Sequence, residues 1–545
     1  MLGFRKSVII KFASISAVLV ICIYIFTFHS ENLQPHYDSI KSGLKWNEQT
    51  NEIDSQSKDI IDFINKDALT DKTLVERTKF FQNIFKIITN NKPSIEPLNN
   101  YPNGKCGVQM IDNEEYPLYT HDELLKYLQV SDDDIKELKL KHQLTIDALP
   151  DTLPNSIYEP ESKGIVYVGG NKYSWLTLIS IMNLREVGCT LPIEVLIPKY
   201  EEYELNICSK IFPKYNARCI YLPKLVGDNI SNNYQFKGYQ YKSLALALSR
   251  FEDILLLDAD NTPLSNPEPI FTSLPFTDHG LVLWPDFWKR TTHPSFYDII
   301  DFEIDLNNRR SFGYTEYSQR IKQNTADGIA LFHQLHGTLP DPTTESGQLL
   351  VSKKKHFKTI LLSLYYNTYG PDYYYPLLSQ GAAGEGDKET FIAAAHTLRR
   401  HYYTVKKHVV ALGRFRDGNF YGSAMGQFNP IEDYELLHKY QNTDVEVNEQ
   451  PSILFLHANF PKLDPWSLYK DDITIDKSKD ERNRLFGTGF IETAKYDFEL
   501  NTWNNMKKLL CDEKLDFFTF DNEGVTSAQV CDEVLKHISY LESTL

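Results

Sequence analysis

The stretch Asp253-Ile254-Leu255-Leu256-Leu257-Asp258-Ala259-Asp260-Asn261 constrains this chain more than any other. Four apolar residues in a row read as a strand buried on both faces, the pattern of a sheet covered by helices on each side. The run ends in two carboxylates at i and i+2, which in an extended chain project to the same side. Asp258 and Asp260 would therefore stand together at the carboxyl end of a strand, where open α/β sheets bind ligands. Two carboxylates this close repel, and a hard divalent cation relieves them. Mn²⁺ and Mg²⁺ take oxygen ligands, and Mg²⁺ characteristically combines one or two carboxylates with substrate phosphates. Taken alone, the tripeptide reads equally as a solvated turn, since Asp-Asn-Thr-Pro is good turn chemistry.

The residues before it form an α/β unit. Strand Ile165–Val168 leads through Gly169-Gly170-Asn171 into a helix, Tyr173–Val187. Strand Ile193–Ile197, a second helix and strand Arg218–Leu222 follow, and a helix from about Tyr241 to Arg250 delivers the chain into Ile254–Asp258. Alternating strands and helices predict a parallel sheet with crossover helices. Gly169 and Gly170 end the first strand, where a backbone without side chains lets a nucleotide approach. There is no GxGxxG and no GxxxxGK[ST], so neither a dinucleotide fold nor a P-loop is supported. After the carboxylates, Leu281–Trp284 reads as a strand running into an aromatic loop, Pro285-Asp286-Phe287-Trp288. Glu345-Ser346-Gly347-Gln348 reads as a loop into a strand, and Gly381–Glu389 as an acidic, glycine-spaced turn opening a helix at Thr390–Leu398. Ile453-Leu454-Phe455-Leu456-His457 repeats the opening design, a buried strand ending in a metal-capable residue. Beyond Lys470 the chain reads as helical and acidic, without a motif.

At the N-terminus, residues 12–28 (FASISAVLVICIYIFTF) carry no charge and follow Arg5, Lys6 and Lys11. The run is at the short end for a spanning helix, roughly 17–25 residues. The basic flank would keep residues 1–11 cytoplasmic and put the remainder across the membrane. Tyr24, Phe26 and Phe28 stand where a cleavage site would need small residues, which favours an uncleaved anchor. Residues 29–95 read as a stem, polar at first and then amphipathic from Lys58 to Asn90, suited to docking on the body or self-associating. Residues 96–545 would be the lumenal body, with its core at about 164–466. Pro150, Pro154 and Pro160 read as a linker within it. Six cysteines outside the anchor permit disulfides, Cys511 with Cys531 being a reasonable local bridge, and no CxxC spacing suggests structural zinc. Asn229-Ile230-Ser231 is a lone glycosylation sequon. The net charge of −16 argues against a nucleic-acid partner, which needs a basic footprint.

Two chemistries fit the carboxylates. In sugar transfer from a sugar nucleotide, Asp258 and Asp260 hold a cation on the diphosphate, with His457 as third ligand and Lys462 on a phosphate. Alternatively, Asp258, Asp260 and Thr262 resemble the Asp-x-Asp-x-Thr of haloacid dehalogenase-like phosphatases, the first Asp as nucleophile and the second as general acid/base. Against this, a full α/β unit precedes the motif and Pro263 follows Thr262. A lumenal lectin or scaffold without chemistry is a third class.

Taken together, GIVYVGGNKYSW, ILLLDADNTPLSNPEPIF, LVLWPDFWKRTTHP, ESGQLLVSKKKH and GEGDKETFIAAAH resemble fungal Golgi α-mannosyltransferases of the Mnn type. The resemblance covers roughly Gly164 to Trp466 and the anchor layout. It implies a GT-A nucleotide-sugar glycosyltransferase fold, a Rossmann-like central mixed sheet behind a transmembrane helix and helical stem. His457 and Lys462 match a late His-x-x-x-x-Lys element that completes the donor site in similar retaining enzymes. The implied activity is retaining transfer of mannose from GDP-mannose, with Mn²⁺ or alternatively Mg²⁺, onto a mannose oligosaccharide of an N-glycan at the Golgi membrane. The resemblance also leaves room for a complex with other mannosyltransferases. ESGQ and GEGDKETF look most like α-1,2 branch-adding members, with the α-1,3 members as the alternative. By the same resemblance Lys242 faces the diphosphate, and Glu345, Gln348, Asp387 and Glu389 face the reacting sugars. Asp387 and Glu389 are the candidates for orienting or deprotonating the acceptor hydroxyl, and they serve equally well as helix N-caps. Trp284, Trp288 and Tyr173 are candidates to stack on sugar or base, with core packing as the competing role.

Overall fold

A computed structural model describes residues 55–544 apart from 71–72, 112–115, 156, 235, 310–311, 315–329 and 444. The expected tail and anchor, residues 1–28, lie outside the described residues. Among the described residues no helix is long and apolar enough to cross a membrane.

The central sheet is built from β1 (Glu159–Val168), β2 (Ile193–Ile197), β3 (Ala217–Tyr221), β4 (Phe251–Leu257), β6 (Leu281–Lys289), β7 (Pro342–Ser352) and β8 (Tyr403–Thr404), with β5 (Asn261–Pro263) leaving it. Its strand order is β8-β6-β7-β4-β1-β2-β3. The four strands β1 to β4 are parallel, as the strand–helix alternation predicts, and β7 runs antiparallel between β4 and β6. That reversal brings the beginning of β7 to the same edge as the ends of β1, β4 and β6. Residues of one strand alternate between two apolar layers. Ile165, Tyr167, Leu255 and Leu257 pack on one face, and Val166, Ile254 and Leu256 on the other. The uninterrupted apolar run before Asp258 is the consequence of burial on both sides.

The strands reach further than the sequence predicts. Pro285–Trp288 is the second half of β6 and not a loop, because β7 pairs alongside it at Trp284↔Glu345, Pro285↔Thr344 and Lys289↔Pro342. Pro285 is tolerated where the register shifts, a place where a missing donor costs little. Glu345–Gln348 likewise lies within β7. Pro160, expected in a linker, falls in β1. A second sheet, β9 (Val410–Arg416), β10 (Asn419–Phe428), β11 (Ile453–His457) and β5, packs beside the first in the order β9-β10-β11-β5.

The stem's periodic segment forms two helices, Ser55–Thr70 and Leu74–Asn90. The second inserts Phe81, Ile84, Phe85 and Ile88 into the layer that contains Ile254 and Leu256, and Arg77 Nη2 donates to the Leu248 carbonyl. Lys224 Nζ donates to Asn65 at 3.1 Å from the body side. Stem helices and body therefore share one core. The C-terminal helices Phe498–Lys507 and Ser527–Ser543 cover the opposite face, placing Trp503, Met506, Val530 and Val534 in the other layer. Disulfides join Cys511 to Cys531, the pairing proposed from spacing, and Cys208 to Cys219. Asn229 falls in the short helix Asp228–Asn233, and its side chain is outside the described residues.

Where the C-terminal segment meets the body, Glu204 is 5% exposed. Its Oε2 accepts from the Phe518 amide at 3.1 Å, and Oε1 has no hydrogen-bond partner. Burial pushes this carboxyl up to about 7, against an offset from the Phe518 amide and Ser174. A raised carboxyl favours the folded state below the ordinary value near 4.5, and that contribution is lost as pH rises through about 7. Roughly 3 kcal/mol is at stake over that window. Glu204→Gln should therefore flatten the fall in melting temperature between pH 5 and pH 8 relative to the parent chain, as scanning calorimetry at the two pH values would report.

Candidate active site

The end of β4 carries the site. Asp258 follows the strand, and its amide donates to the Gly347 carbonyl of β7 at 2.9 Å. The chain turns at Ala259, then β5 pairs with β11 in the register Asn261↔His457, Leu456↔Thr262 and Phe455↔Pro263. That pairing brings a residue almost two hundred positions away beside the carboxylates. His457 Nε2 lies 3.2 Å from Asp260 Oδ1 and 3.9 Å from Asp258 Oδ2. One ligand atom from each of Asp258, Asp260 and His457 fits within a span of 4.8 Å. Gly347 makes room for the ring: a Cβ there would stand 2.4 Å from His457 Nδ1. Behind the trio, Asn261 Nδ2 donates to the Gly347 carbonyl at 2.8 Å and to Gln348 Oε1 at 2.6 Å, fixing the turn to β7.

Two lysines neutralise the carboxylates. Lys242 Nζ donates to Asp258 Oδ2 at 2.9 Å and to the Ser346 carbonyl and hydroxyl at 3.0 Å each, and stands 3.7 Å from Asp387 Oδ2. Lys462 Nζ pairs with Asp260 Oδ2. Burial opposes every one of these charges, and the partners decide which way each moves. For Asp260, His457 and Lys462 reverse the effect of burial and hold the carboxyl well below its usual range. For His457, burial is outweighed by Asp260, Glu345 and Asp258, and the imidazole is pushed up to about 9. For Lys242, burial is outweighed by Asp258, Asp387 and Glu345, and its ammonium is held above the usual value. Asp387 behaves oppositely: burial and Asp258 outweigh Lys242 and the Ser346 hydroxyl, raising it to about 6. Its Oδ1 accepts from Ser346 Oγ at 3.2 Å, while Oδ2 is buried without a hydrogen-bond donor.

These groups line a cleft of about 850 Å³ along the edge of the sheet. Gly169, Gly170 and Tyr173 stand at one end, Asp258, Asp260, Lys242 and His457 at the middle, and Asp286, Phe287 and Trp288 at the other. The volume lies in the range of ligand sites, roughly 300–1,000 Å³.

A mannosyltransferase family model, Mannosyl_trans3, matches residues 162–429, the stretch holding β1 to β10 and the carboxylates. The chain is 44% identical to alpha-1,2-mannosyltransferase MNN21 of Candida albicans over 87% of its own length and 76% of that protein's. It is 34% identical to alpha-1,2-mannosyltransferase MNN2 of Saccharomyces cerevisiae over 85% of each. The chain belongs to the Mnn2-type α-1,2-mannosyltransferase family. Among solved structures it is similar to the galactosyltransferase LgtC in complex with donor and acceptor sugar analogs, at 16% identity and a TM-score of 0.24, over 44% of this chain and 73% of that one.

In a hexosyltransferase the trio of Asp258, Asp260 and His457 fits one divalent cation. Two carboxylate oxygens and an imidazole nitrogen converge, and Lys242 and Lys462 occupy positions from which each ammonium can turn to a phosphate. When bound, such a cation supplies charge to stabilise a leaving diphosphate.

The other residues singled out from sequence divide in two. Gly169, Gly170, Tyr173, Lys242, Glu345, Asp387 and Lys462 line the cleft. Trp284 does not: it is fully buried, donates Nε1 to the Phe428 carbonyl at 2.8 Å, and packs edge-on against Phe455. It fills the space between β6 and the second sheet, held by Phe428 and Phe455, so it is no donor-binding residue. Glu389 is paired with Arg290 in the interior and accepts from the Thr344 amide at 2.9 Å, holding the turn to β7. Gln348 is fully buried and serves Asn261. Neither Glu389 nor Gln348 reaches the cleft. Asp387 occupies the N-cap position of helix Lys388–Thr397 without making a capping bond, which leaves it to the cleft. Sequence reading missed Asp286 and Lys388, which pair at 2.5 Å in the cleft wall. A carboxylate inside the otherwise apolar and aromatic run Leu281–Trp288 was the available signal.

This division predicts different failures for neighbouring acids. Asp387→Asn should lower kcat at least tenfold while leaving the melting temperature near that of the parent. Glu389→Gln removes the carboxylate that Arg290 pairs with in the interior and should lower stability by about 3 kcal/mol. Thermal melts and initial rates on the same preparations check both.

Proposed function

We propose that this chain transfers mannose from GDP-mannose, with retention of configuration, in α-1,2 linkage onto mannan branches of N-linked glycans. We place it in the Golgi membrane as a type II protein, with a GT-A catalytic body in the lumen and Mn²⁺, or Mg²⁺, as cofactor. The observation that carries this reading is the meeting of Asp258, Asp260 and His457 at the centre of a cleft with a glycine-lined end and two lysines poised for phosphate. The relatives named α-1,2-mannosyltransferases favour that linkage over α-1,3. They leave the phosphatase reading of Asp258-Ala259-Asp260 without support. The basic residues before the apolar segment 12–28 support the topology.

Each residue then has a part. Gly169 and Gly170 let the nucleoside approach the backbone, and Lys242 and Lys462 hold the diphosphate and steady it as it departs. Ser346 keeps Lys242 in place. Asp387 orients the acceptor hydroxyl from beside the reacting sugar, and the leaving phosphate shares in taking its proton. The stem helices hold the body at the membrane, where it can join other mannosyltransferases.

The test is direct. Full-length protein in detergent, given Mn²⁺ and a mannose oligosaccharide, is offered GDP-mannose and a panel of other sugar nucleotides. Transfer from GDP-mannose alone, with an α-1,2 linkage and retained configuration by NMR, is the expected result. Transfer of another sugar, or phosphate release from phosphomonoesters without sugar transfer, would sink the proposal.

A further inference from the structure

The sheet orders the cleft like a ruler. Gly169 and Gly170 follow β1, Asp258 follows β4, Glu345 and Ser346 lie in the first half of β7, and Asp286 to Trp288 lie near the end of β6, with β1, β4, β7 and β6 adjacent in that order. Neighbouring strands lie about 4.8 Å apart, so β6 lies about 10 Å across the sheet from β4, and its pairing with the first residues of β7 carries Asp286 further out along the strand direction than Leu257. On the reading above, on which this inference rests, the diphosphate lies at β4 and the transferred mannose over β7. One sugar's width further brings the next ring to β6.

The residues waiting there are suited to a sugar. Lys388 Nζ and Asp286 Oδ2 pair at 2.5 Å with side chains only 10% and 8% exposed, yet both line the cleft. A buried ion pair is weak evidence for stability, because desolvation offsets the attraction. An ammonium beside a carboxylate, however, offers both donors and acceptors to adjacent hydroxyl groups. Gly384 keeps the lysine's space open, since a Cβ there would stand 2.8 Å from Lys388 Nζ. Trp288, half-buried beside the pair, lends an aromatic face for the apolar side of a pyranose, and Phe287 sets its ring edge-on at 6.3 Å. We propose that Asp286, Lys388 and Trp288 form the subsite for the terminal sugar of the acceptor, the ion pair binding adjacent hydroxyls and the indole packing on the ring.

Two variants of the full chain test this. Trp288→Ala removes the stacking face without touching a charge, and Asp286→Asn with Lys388→Gln removes both charges together. Acceptor KM is measured at saturating GDP-mannose, and GDP binding in Mn²⁺ by calorimetry. Each variant should raise acceptor KM at least tenfold and leave GDP affinity within twofold of the parent, and Trp288→Phe should recover most of the loss. Unchanged acceptor KM would overturn the proposal, as would a parallel loss of GDP affinity, which would move these residues to the donor side. If the parent uses a different sugar nucleotide or acceptor, the function proposed above fails. The same comparison on that acceptor then decides the subsite.

Discussion

Concentrated negative charge at the end of one buried strand is the constraint that the rest of this molecule answers. Asp260 is nearly inaccessible and Asp258 is only a quarter exposed. At 4 Å, two unit charges interact by about 4 kcal/mol at an effective dielectric of 20, so unpaired carboxylates in such a place would be hard to keep ionised. Their partners come from far apart in the chain: Lys242 from the helix before β4, and His457 and Lys462 from the second sheet and the loop after it. The short pairing of β5 with β11 exists at the point where this compensation must be held, and Gly347 is small because the imidazole needs its volume.

The same environment sorts the remaining acids by role. Glu389 is locked to Arg290 behind the wall, and Asp286 is paired within it. Asp387 keeps one oxygen without a donor and is held up to about 6, so burial keeps it from being spent on a helix cap or a full ion pair. A cleft-lining carboxyl with one oxygen lacking a hydrogen-bond donor is equipped to accept a hydroxyl's proton or to orient it, whereas a fully paired one is equipped to hold a backbone still.

Much of this was legible in the sequence, and the limits of legibility have physical causes. Strands Ile193–Ile197 and Ile453–His457 were placed to the residue, because each is a short β-branched and apolar stretch with a clear stop, Pro198 after the first and His457 at the ligand-facing end of the second. The helical spacing from Lys58 to Asn90 was legible too, but it left open whether it made one helix or two. Pro285 and the polar Glu345–Gln348 looked like loops, since turn chemistry is local while strand pairing is not. Only the partner strand shows that they are continuous ladder. Trp284 and Trp288 sit four apart in an aromatic run, and their one-dimensional context does not say which faces the core. Pairing registers do. The Asp286–Lys388 contact joins residues a hundred positions apart, with nothing in either neighbourhood naming the other.

The central claim is that the end of β4 holds a cation on a diphosphate. It is tested most directly by crystals grown with Mn²⁺ and GDP and measured at the manganese edge. The account predicts one strong anomalous peak bonded to Asp258, Asp260 and His457, with the diphosphate on it and Lys462 turned from Asp260 to a phosphate oxygen. A peak elsewhere, or GDP bound with Lys462 still paired to Asp260 and no metal between the carboxylates, would contradict it.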